Sequence, residues 1–570
     1  MATLRPQGHG PNRCASKKDT FLFDRRRLLL LAARGAVLAG VPAVSQAVTT
    51  PGRAGLGSIS PGRTSEATAD ADTPNATLNL KAFGATGDGQ TIDSPAINRA
   101  IEAAAAAGGG TVYFPAGTYA SYSIRLKSHV CLYLDQGATI VAAATPLEGT
   151  TSGYDAAEPQ GDWEPYQDYG HNHWHNSLIW GEGIHDFSIL GPGLIWGKGL
   201  SRGHSSDKDL PDPTTRGAGN KAIALKNCYN VTLRDFCILK GGWFGILATG
   251  VDNLTIDNLK IDTDRDGMDL DCCRNVRVSN CSVNSPYDDG ICPKSSFALG
   301  YARPTENLTI TNCFVTGGYE IGSLLDGSWR LMPDSFLPRA TGRIKFGTES
   351  NGGFRNITVS NCVFEHSRGL ALESVDGALC EDITFVGIAM RGIVNAPLFL
   401  RLGERMRGPK DAKVGTLKRI LISNVTSYDA LQLPSILSGV PGHPIEDVKI
   451  SDVYLHQVGG GDAGMARVQP PEREKEYPEP TMFGAMPATG FFVRHVRNLE
   501  MSNVEIAAEQ PDQRPAFALV DVEGADLFRV RVPRPSVAPA FSLKQVANFR
   551  VFGSQFVPDK SFQQVDEQVF

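Results

Sequence analysis

The sequence predicts an all-β fold, a single-stranded parallel β-helix (β-solenoid) with a short N-terminal capping helix, and three observations carry the prediction. First, one short pattern recurs: Asn230-Val231-Thr232-Leu233, Asn253-Leu254-Thr255-Ile256, Asn275-Val276-Arg277-Val278, Asn307-Leu308-Thr309-Ile310 and Asn356-Ile357-Thr358-Val359. It returns in looser form at Asp382-Ile383, Arg419-Ile420, Asp447-Val448 and Asn498-Leu499. Each copy alternates apolar and polar residues, the period of a strand with one face buried. Second, the interval is 23 residues from Val231 to Leu254 and 22 from Leu254 to Val276, with no helical period between. Strand repeats of this length stack as coils of a solenoid. A leucine-rich repeat would need a recurrent Leu-x-x-Leu-x-Leu skeleton, which is absent. Third, 61 of 570 residues are glycine, well above the usual ~7%, as many short strands joined by turns require.

Length alone would suggest about four domains, but stacking extends one core indefinitely. A hydrophobic content of 41% with 20% charged residues excludes wholesale disorder. The net charge of −6 argues against a nucleic-acid protein. No phosphate loop, Ser-His-Asp elbow or basic nucleic-acid patch is present, and no cofactor is expected.

Arg25-Arg26-Arg27 precedes Leu28 to Leu31, and the apolar stretch ends at Ser45-Gln46-Ala47. A charged region, an apolar region and a small-residue cleavage site read as an export signal over 1–47, of twin-arginine type. Residues 48–77 read as a flexible linker rich in Thr, Ser, Gly, Pro and Ala. The β-helix is expected over 78–570, in the periplasm or outside the cell, with no membrane association once the signal is removed. Within it, Ser94-Pro95 is expected to cap and start a helix over Ala96 to Ala107, ended by Gly108-Gly109-Gly110. Thr111 to Pro115 then begins the strands.

Cys281, Cys313 and Cys362 hold one place in their repeats and are expected to stack in an interior column. Export would permit some cysteines to oxidise, but buried free thiols packing as small hydrophobes are the expected state.

The carboxylates follow the register. Asp266 lies 12 positions after Leu254, and Asp288 lies 12 after Val276. Equal phase in consecutive coils stacks them at about strand spacing, ~5 Å. The same count reaches Trp243 on one side and Glu320 on the other, a column that reads as a sugar-binding groove with acids at its centre. Asp289 adds a third carboxylate beside Gly290, where a turn or bulge would aim both acids outward. Crowded like charges push one pKa upward, which yields a proton donor beside an ionised base, as glycoside hydrolysis requires.

Asp264-Arg265-Asp266-Gly267-Met268-Asp269, Asp288-Asp289-Gly290 and Gly342-Arg343-Ile344-Lys345 resemble three signature segments of glycoside hydrolase family 28, the polygalacturonases and rhamnogalacturonan hydrolases. The resemblance implies a right-handed parallel β-helix and inverting hydrolysis without cofactor or metal. It implies Asp289 as general acid, Asp266 and Asp288 as the residues activating water, and Arg343 and Lys345 as the cations holding a uronate carboxylate. The guanidinium fork and the ammonium point charge suit that last role. Two departures stand out. The family's Asn-Thr-Asp is here Asp264-Arg265-Asp266, and its Gly-His-Gly is replaced by Gly317 to Ser323, where Tyr319 and Glu320 are the expected substrate-binding substitutes.

Insertions at 144–176, between Leu308 and Ile357, and between Val448 and Leu499 are expected to wall one end of the groove and favour exo action. The last of these holds Pro470-Pro471-Glu472-Arg473-Glu474-Lys475. About half of the six tryptophans, all between 163 and 329, are assigned to sugar stacking. His171, His173 and His175 would share a face on a strand, but without carboxylate or cysteine partners at suitable spacing they are expected to line the sugar site. The expected partner is a pectic poly- or oligosaccharide containing galacturonic acid. A lyase or epimerase on the same scaffold, or a non-catalytic glycan-binding β-helix, are the alternatives.

Overall fold

The computed structural model describes residues 77–146, 153–202, 210–532 and 538–570. The signal expected over 1–47 and the linker over 48–77, save Thr77, lie outside the described residues. The chain winds as a right-handed parallel β-helix in which each repeat read from the sequence pairs with the next. Val231 pairs with Leu254, Leu254 with Val276, Val276 with Leu308 and Leu308 with Ile357. The ladder continues through Ile383, Ile420, Val448 and Leu499. Two further coils, at Ala525 and Phe549, follow; the first opens on Gly524 and the second on Asn548, at φ 51°. Every residue of this apolar column is buried in one continuous core.

The asparagines that open the repeats have a structural cause. Asn230, Asn253, Asn275, Asn307 and Asn356 all sit at φ between 52° and 57°, the left-handed corner that turns the chain into each strand. Asn and Asp tolerate this region where other side chains pay ~1–2 kcal/mol. Their amides then stack coil on coil: Asn253 Nδ2 donates to Asn230 Oδ1 at 2.9 Å, Asn275 to Asn253 at 3.2 Å, Asn307 to Asn275 at 3.1 Å and Asn356 to Asn307 at 2.7 Å.

The solenoid is closed at both ends. At the N-terminal end, α1 (Ser94–Ala106) buries Ala96, Ile97, Ala100, Ile101 and Ala104. Its N-cap is Asp93, not the expected Ser94. The Asp93 carboxylate is committed elsewhere, accepting from the N–H of Thr86 at 2.7 Å and of Gly87 at 2.9 Å. At the C-terminal end, Lys560–Val569 pairs antiparallel with Phe541–Phe552, ending the parallel stack. Among the described residues no helix is long and apolar enough to cross a membrane.

The ten described cysteines are free thiols. Cys281, Cys313 and Cys362 form the expected column, since the residues that follow them, Ser282, Phe314 and Val363, pair in register. Each thiol donates to a carbonyl two residues back, at 3.2 to 3.3 Å, so none needs a sulfur partner.

Candidate active site

Five strands on one face of the helix position the site: β1 (Phe244–Thr249), β2 (Asp266–Asp271), β3 (Ile291–Lys294), β4 (Lys345–Phe346) and β5 (Leu370–Ser374). Asp266, Asp288 and Asp289 come together, with one carboxylate oxygen of each within 4.8 Å of the others. The stacking differs from the expected one. Met268 pairs with Ile291, an interval of 23, so the register places Asp266 beside Asp289 rather than Asp288. The extra residue lies in the turn after Asn284, because Asp262 still pairs with Asn284 at an interval of 22. Asp288 therefore bulges outward, and its side chain is 29% exposed against 5% for Asp289.

Trp243 is likewise out of phase: Phe244, not Trp243, pairs with Asp266. The turn before β1 displaces it, and Trp243 lies buried beneath the Arg265 guanidinium, 5.1 Å from the ring centre. Arg265 Nη2 donates to Asp288 Oδ2 at 2.9 Å, while Asp264 pairs with Arg202. The unusual Asp264-Arg265 is thus a pair of ion-pair anchors immediately before Asp266.

Glu320 does not occupy the coil position after Asp289. The chain leaves the solenoid at Gly318 and returns at Thr341, and the backbone of Gly342-Arg343 fills that position: Gly290 N–H donates to Arg343 O at 2.8 Å. Glu320 instead pairs with Arg330 at 2.9 Å, and Tyr319 donates its hydroxyl to Glu365 at 2.7 Å. Among the described residues neither makes a hydrogen bond or ion pair to the three carboxylates.

Arg343 and Lys345 do meet the site, in an unexpected way. Arg343 Nε donates to Asp289 Oδ1 at 2.8 Å, and Lys345 Nζ lies 3.1 Å from Asp289 Oδ2. Both cations are buried. The loop before the Val448-to-Leu499 return covers them: Lys345 donates to the Tyr477 hydroxyl at 2.8 Å, and Arg343 Nη2 to Glu479 Oε2 at 3.0 Å. Glu373 of β5 lies 3.8 Å from each cation. Sequence reading marked this loop as a wall but missed Tyr477 and Glu479, since nothing local ties them to residues over a hundred positions away, and it missed Glu373 one coil beyond Lys345.

The electrostatics divide the carboxylates. Burial acts to raise the Asp289 pKa, but Arg343 and Lys345 outweigh it and hold the carboxyl well below the usual range. Burial, reinforced by Asp288 and Asp269, pushes Asp266 well above that range. Burial also lifts Glu373 to about 7, against the pull of Lys345 and Arg343. The surroundings thus favour the ionised form of Asp289 and the protonated form of Asp266. That order is the reverse of the roles the resemblance implies, because the two cations sit on Asp289.

The histidine run is not a strand. His171 lies in the single turn Tyr169–Asn172 and reaches Asp269 Oδ2 at 3.1 Å, directly behind Asp266. His173 meets Glu164 at 2.9 Å and His175 meets Glu182 at 2.8 Å, carboxylates that sequence spacing did not suggest. Glu158, His175 and Glu182 have donor atoms within 4.8 Å of one another, as a cation site would. Lys226, 2.9 Å from Glu182, and the N–H groups of Trp174 and His175 on Glu158 already supply positive charge there. Of the tryptophans, Trp174 is core and donates to Thr249, whereas Trp329 is 44% exposed beside Tyr319. A cleft of about 880 Å³ is lined in part by Lys198, Arg202 and Lys240, and Arg202 pairs with Asp264.

Residues 77–174 match the family described as rhamnogalacturonase A/epimerase, pectate lyase-like, and residues 195–328 match the right-handed beta helix region. A probable polygalacturonase from Vitis vinifera is 23% identical over 405 residues, covering 66% of this chain and 74% of that protein. Plasmin and fibronectin-binding protein A of Streptococcus pneumoniae is 31% identical over 267 residues, 44% of this chain and 32% of that protein. The solved family 28 exopolygalacturonase of Yersinia enterocolitica shares the fold, with a TM-score of 0.55 at 18% identity over 80% of this chain and 78% of that one. The chain is a right-handed parallel β-helix protein, similar over residues 77–174 to a pectate lyase-like family. Within that class it is similar to glycoside hydrolase family 28.

Proposed function

We propose that the chain is an exported glycoside hydrolase acting on a pectic poly- or oligosaccharide that contains galacturonic acid. One observation carries the reading: three carboxylates with oxygens within 4.8 Å, one held ionised by Arg343 and Lys345 and one pushed toward its protonated form by burial. That is the acid and base pair that cleavage of a glycosidic bond needs. The similarity to polygalacturonases supports the substrate class, and the basic cleft at Lys198, Arg202 and Lys240 suits an anionic chain.

In this mechanism Asp289 takes a proton from a water as its oxygen attacks the anomeric carbon. The carbon–oxygen bond to the leaving sugar breaks, and the leaving oxygen takes the proton held by Asp266, beside its exposed neighbour Asp288. His171 steadies Asp269 behind Asp266, and Arg265 holds Asp288 in place. Single displacement inverts the anomeric centre. Most inverting pairs stand ~6.5–9.5 Å apart to fit water between them, so here the water sits beside the trio rather than within it. Closure of one end of the groove by the loops that carry Tyr477 and Trp329 would favour release of sugars from chain ends.

The test is incubation of wild type with galacturonides, rhamnogalacturonan fragments and neutral glycosides, followed by separation of products and proton magnetic resonance of the first-formed anomer. Saturated products from the acidic substrates, released with inverted configuration, are expected. The match to a family described as rhamnogalacturonase A/epimerase, pectate lyase-like, favours a second reading, proton abstraction beside a uronate carboxyl. Ultraviolet-absorbing unsaturated ends, or epimerised sugars without chain cleavage, would establish that reading instead.

A further inference from the structure

Arg343, Lys345 and Arg368 contribute three positive charges on the far side of Asp289, and three carboxylates of the protein already meet them. Asp289 takes Arg343 Nε and Lys345 Nζ. Glu373 lies 3.8 Å from both cations. Glu479 Oε2 takes Arg343 Nη2 at 3.0 Å and Arg368 Nη1 at 3.3 Å, while Oε1 accepts from Asn395. The Glu479 carboxylate therefore has the partners that a substrate carboxylate would seek: two guanidinium groups and an amide.

We propose that Glu479 is a specificity-determining residue, occupying the uronate position at this subsite so that the sugar bound there is neutral. The inference rests on the hydrolase reading above for the chemistry and narrows its substrate to a chain mixing uronates with neutral sugars. A second carboxylate here would have to share cations already engaged by Asp289 and Glu479, which is costly. The Nη1 of Arg343 and both oxygens of Glu373 are buried without hydrogen-bond partners among the described residues. A sugar hydroxyl, both donor and acceptor, matches that mixed set; a carboxylate, only an acceptor, does not.

Glu479 is built in rather than swung in. It immediately precedes the short helix Pro480–Phe483, whose Phe483 packs with Met486, Phe399 and Phe492 in a core of its own. Arg401 Nη2 donates to the carbonyls of Glu472 and Arg473 at 3.0 Å, and Arg494 clamps Pro470 and Pro471. A loop held by buried guanidiniums and a hydrophobic anchor gives a fixed subsite, not a lid.

The experiment compares oligosaccharides with a uronate on both sides of the scissile bond, on one side, or on the other. Each is titrated calorimetrically into wild type, Glu479→Gln and Glu479→Asp, and its turnover is measured. Wild type is expected to bind one mixed oligosaccharide at least tenfold better than the all-uronate one. Glu479→Gln should narrow that gap about tenfold, and Glu479→Asp, which keeps the charge, should retain it. Equal or tighter binding of the all-uronate chain by wild type, or an unchanged gap in a folded Glu479→Gln, overturns the proposal. Absence of turnover with every substrate would sink the hydrolase reading instead, and the binding preference would still decide this one.

Discussion

Arg343 Nε donates to Asp289 Oδ1 at 2.8 Å, and both side chains are buried. Charge-assisted contacts of this kind favour the ionised carboxylate. Lys345, 3.1 Å away, adds to the effect. Asp289 also turns its own backbone N–H toward its neighbours, donating to Asp266 Oδ1 at 3.2 Å and Asp288 Oδ1 at 3.1 Å. One residue thus carries the cluster's secured negative charge and ties the other two acids together.

The pH dependence of turnover follows from this division. Asp289 must be ionised, and its pKa is lowered, so activity should persist to pH values below the ordinary carboxylate range before falling. Asp266 must be protonated, and its pKa is raised, so activity should fall as pH rises through that higher value. Lys345→Gln removes one of the cations on Asp289 and should move the acid limb upward by about one pH unit. An acid limb that stays in place would separate Asp289 from the base role.

Stability should carry its own pH signature at Glu373. Burial raises this carboxyl from the ordinary 4.5 to about 7. The folded state therefore binds the proton more tightly than the unfolded chain, so the contribution is full below about 4.5 and lost as pH rises to about 7. Glu373→Gln should remove on the order of 2 kcal/mol of that decline. Denaturant melts of both proteins at pH 5 and pH 7.5 measure it. Parallel losses in the two would contradict the assignment.

The Asn ladder offers a test of the fold itself. Asn275 sits at φ 56° and makes one ladder bond to each neighbour, at 3.2 and 3.1 Å. Asn275→Ala loses both bonds and strains the corner, a cost of about 1–3 kcal/mol. Asn275→Gly relieves the strain and should cost less. Denaturant midpoints falling in the order wild type, Gly, Ala are expected, and a reversed order of the two variants would show that the corner is not what the asparagine serves.

The repeat register was legible because each coil spends the same residues on the same turn. Nine apolar positions from Val231 to Leu499 stack where the spacing put them. The site was legible only in part. Counting from the ladder misplaced Asp288, Trp243 and Glu320, since a one-residue bulge, a turn longer by one residue and the excursion from Gly318 to Thr341 each break the count on the catalytic face. Arg343 and Lys345 were found through a motif, yet their burial and their bonds to Glu479 and Tyr477 depend on a loop 132 to 136 residues further along. The Ala525 coil opens on Gly524 in place of the asparagine, which hides the Asn548-Phe549 copy one coil further on, and the closing antiparallel strand has no repeat to betray it.

Calorimetric titration and turnover of a pectic oligosaccharide with wild type and Asp289→Asn test the central claim most directly. Glycosidic cleavage by wild type, a loss of roughly 10³-fold or more in kcat for the variant, and binding within a few-fold of wild type are expected. Comparable turnover by a folded Asp289→Asn, or no cleavage by wild type despite binding, would contradict it.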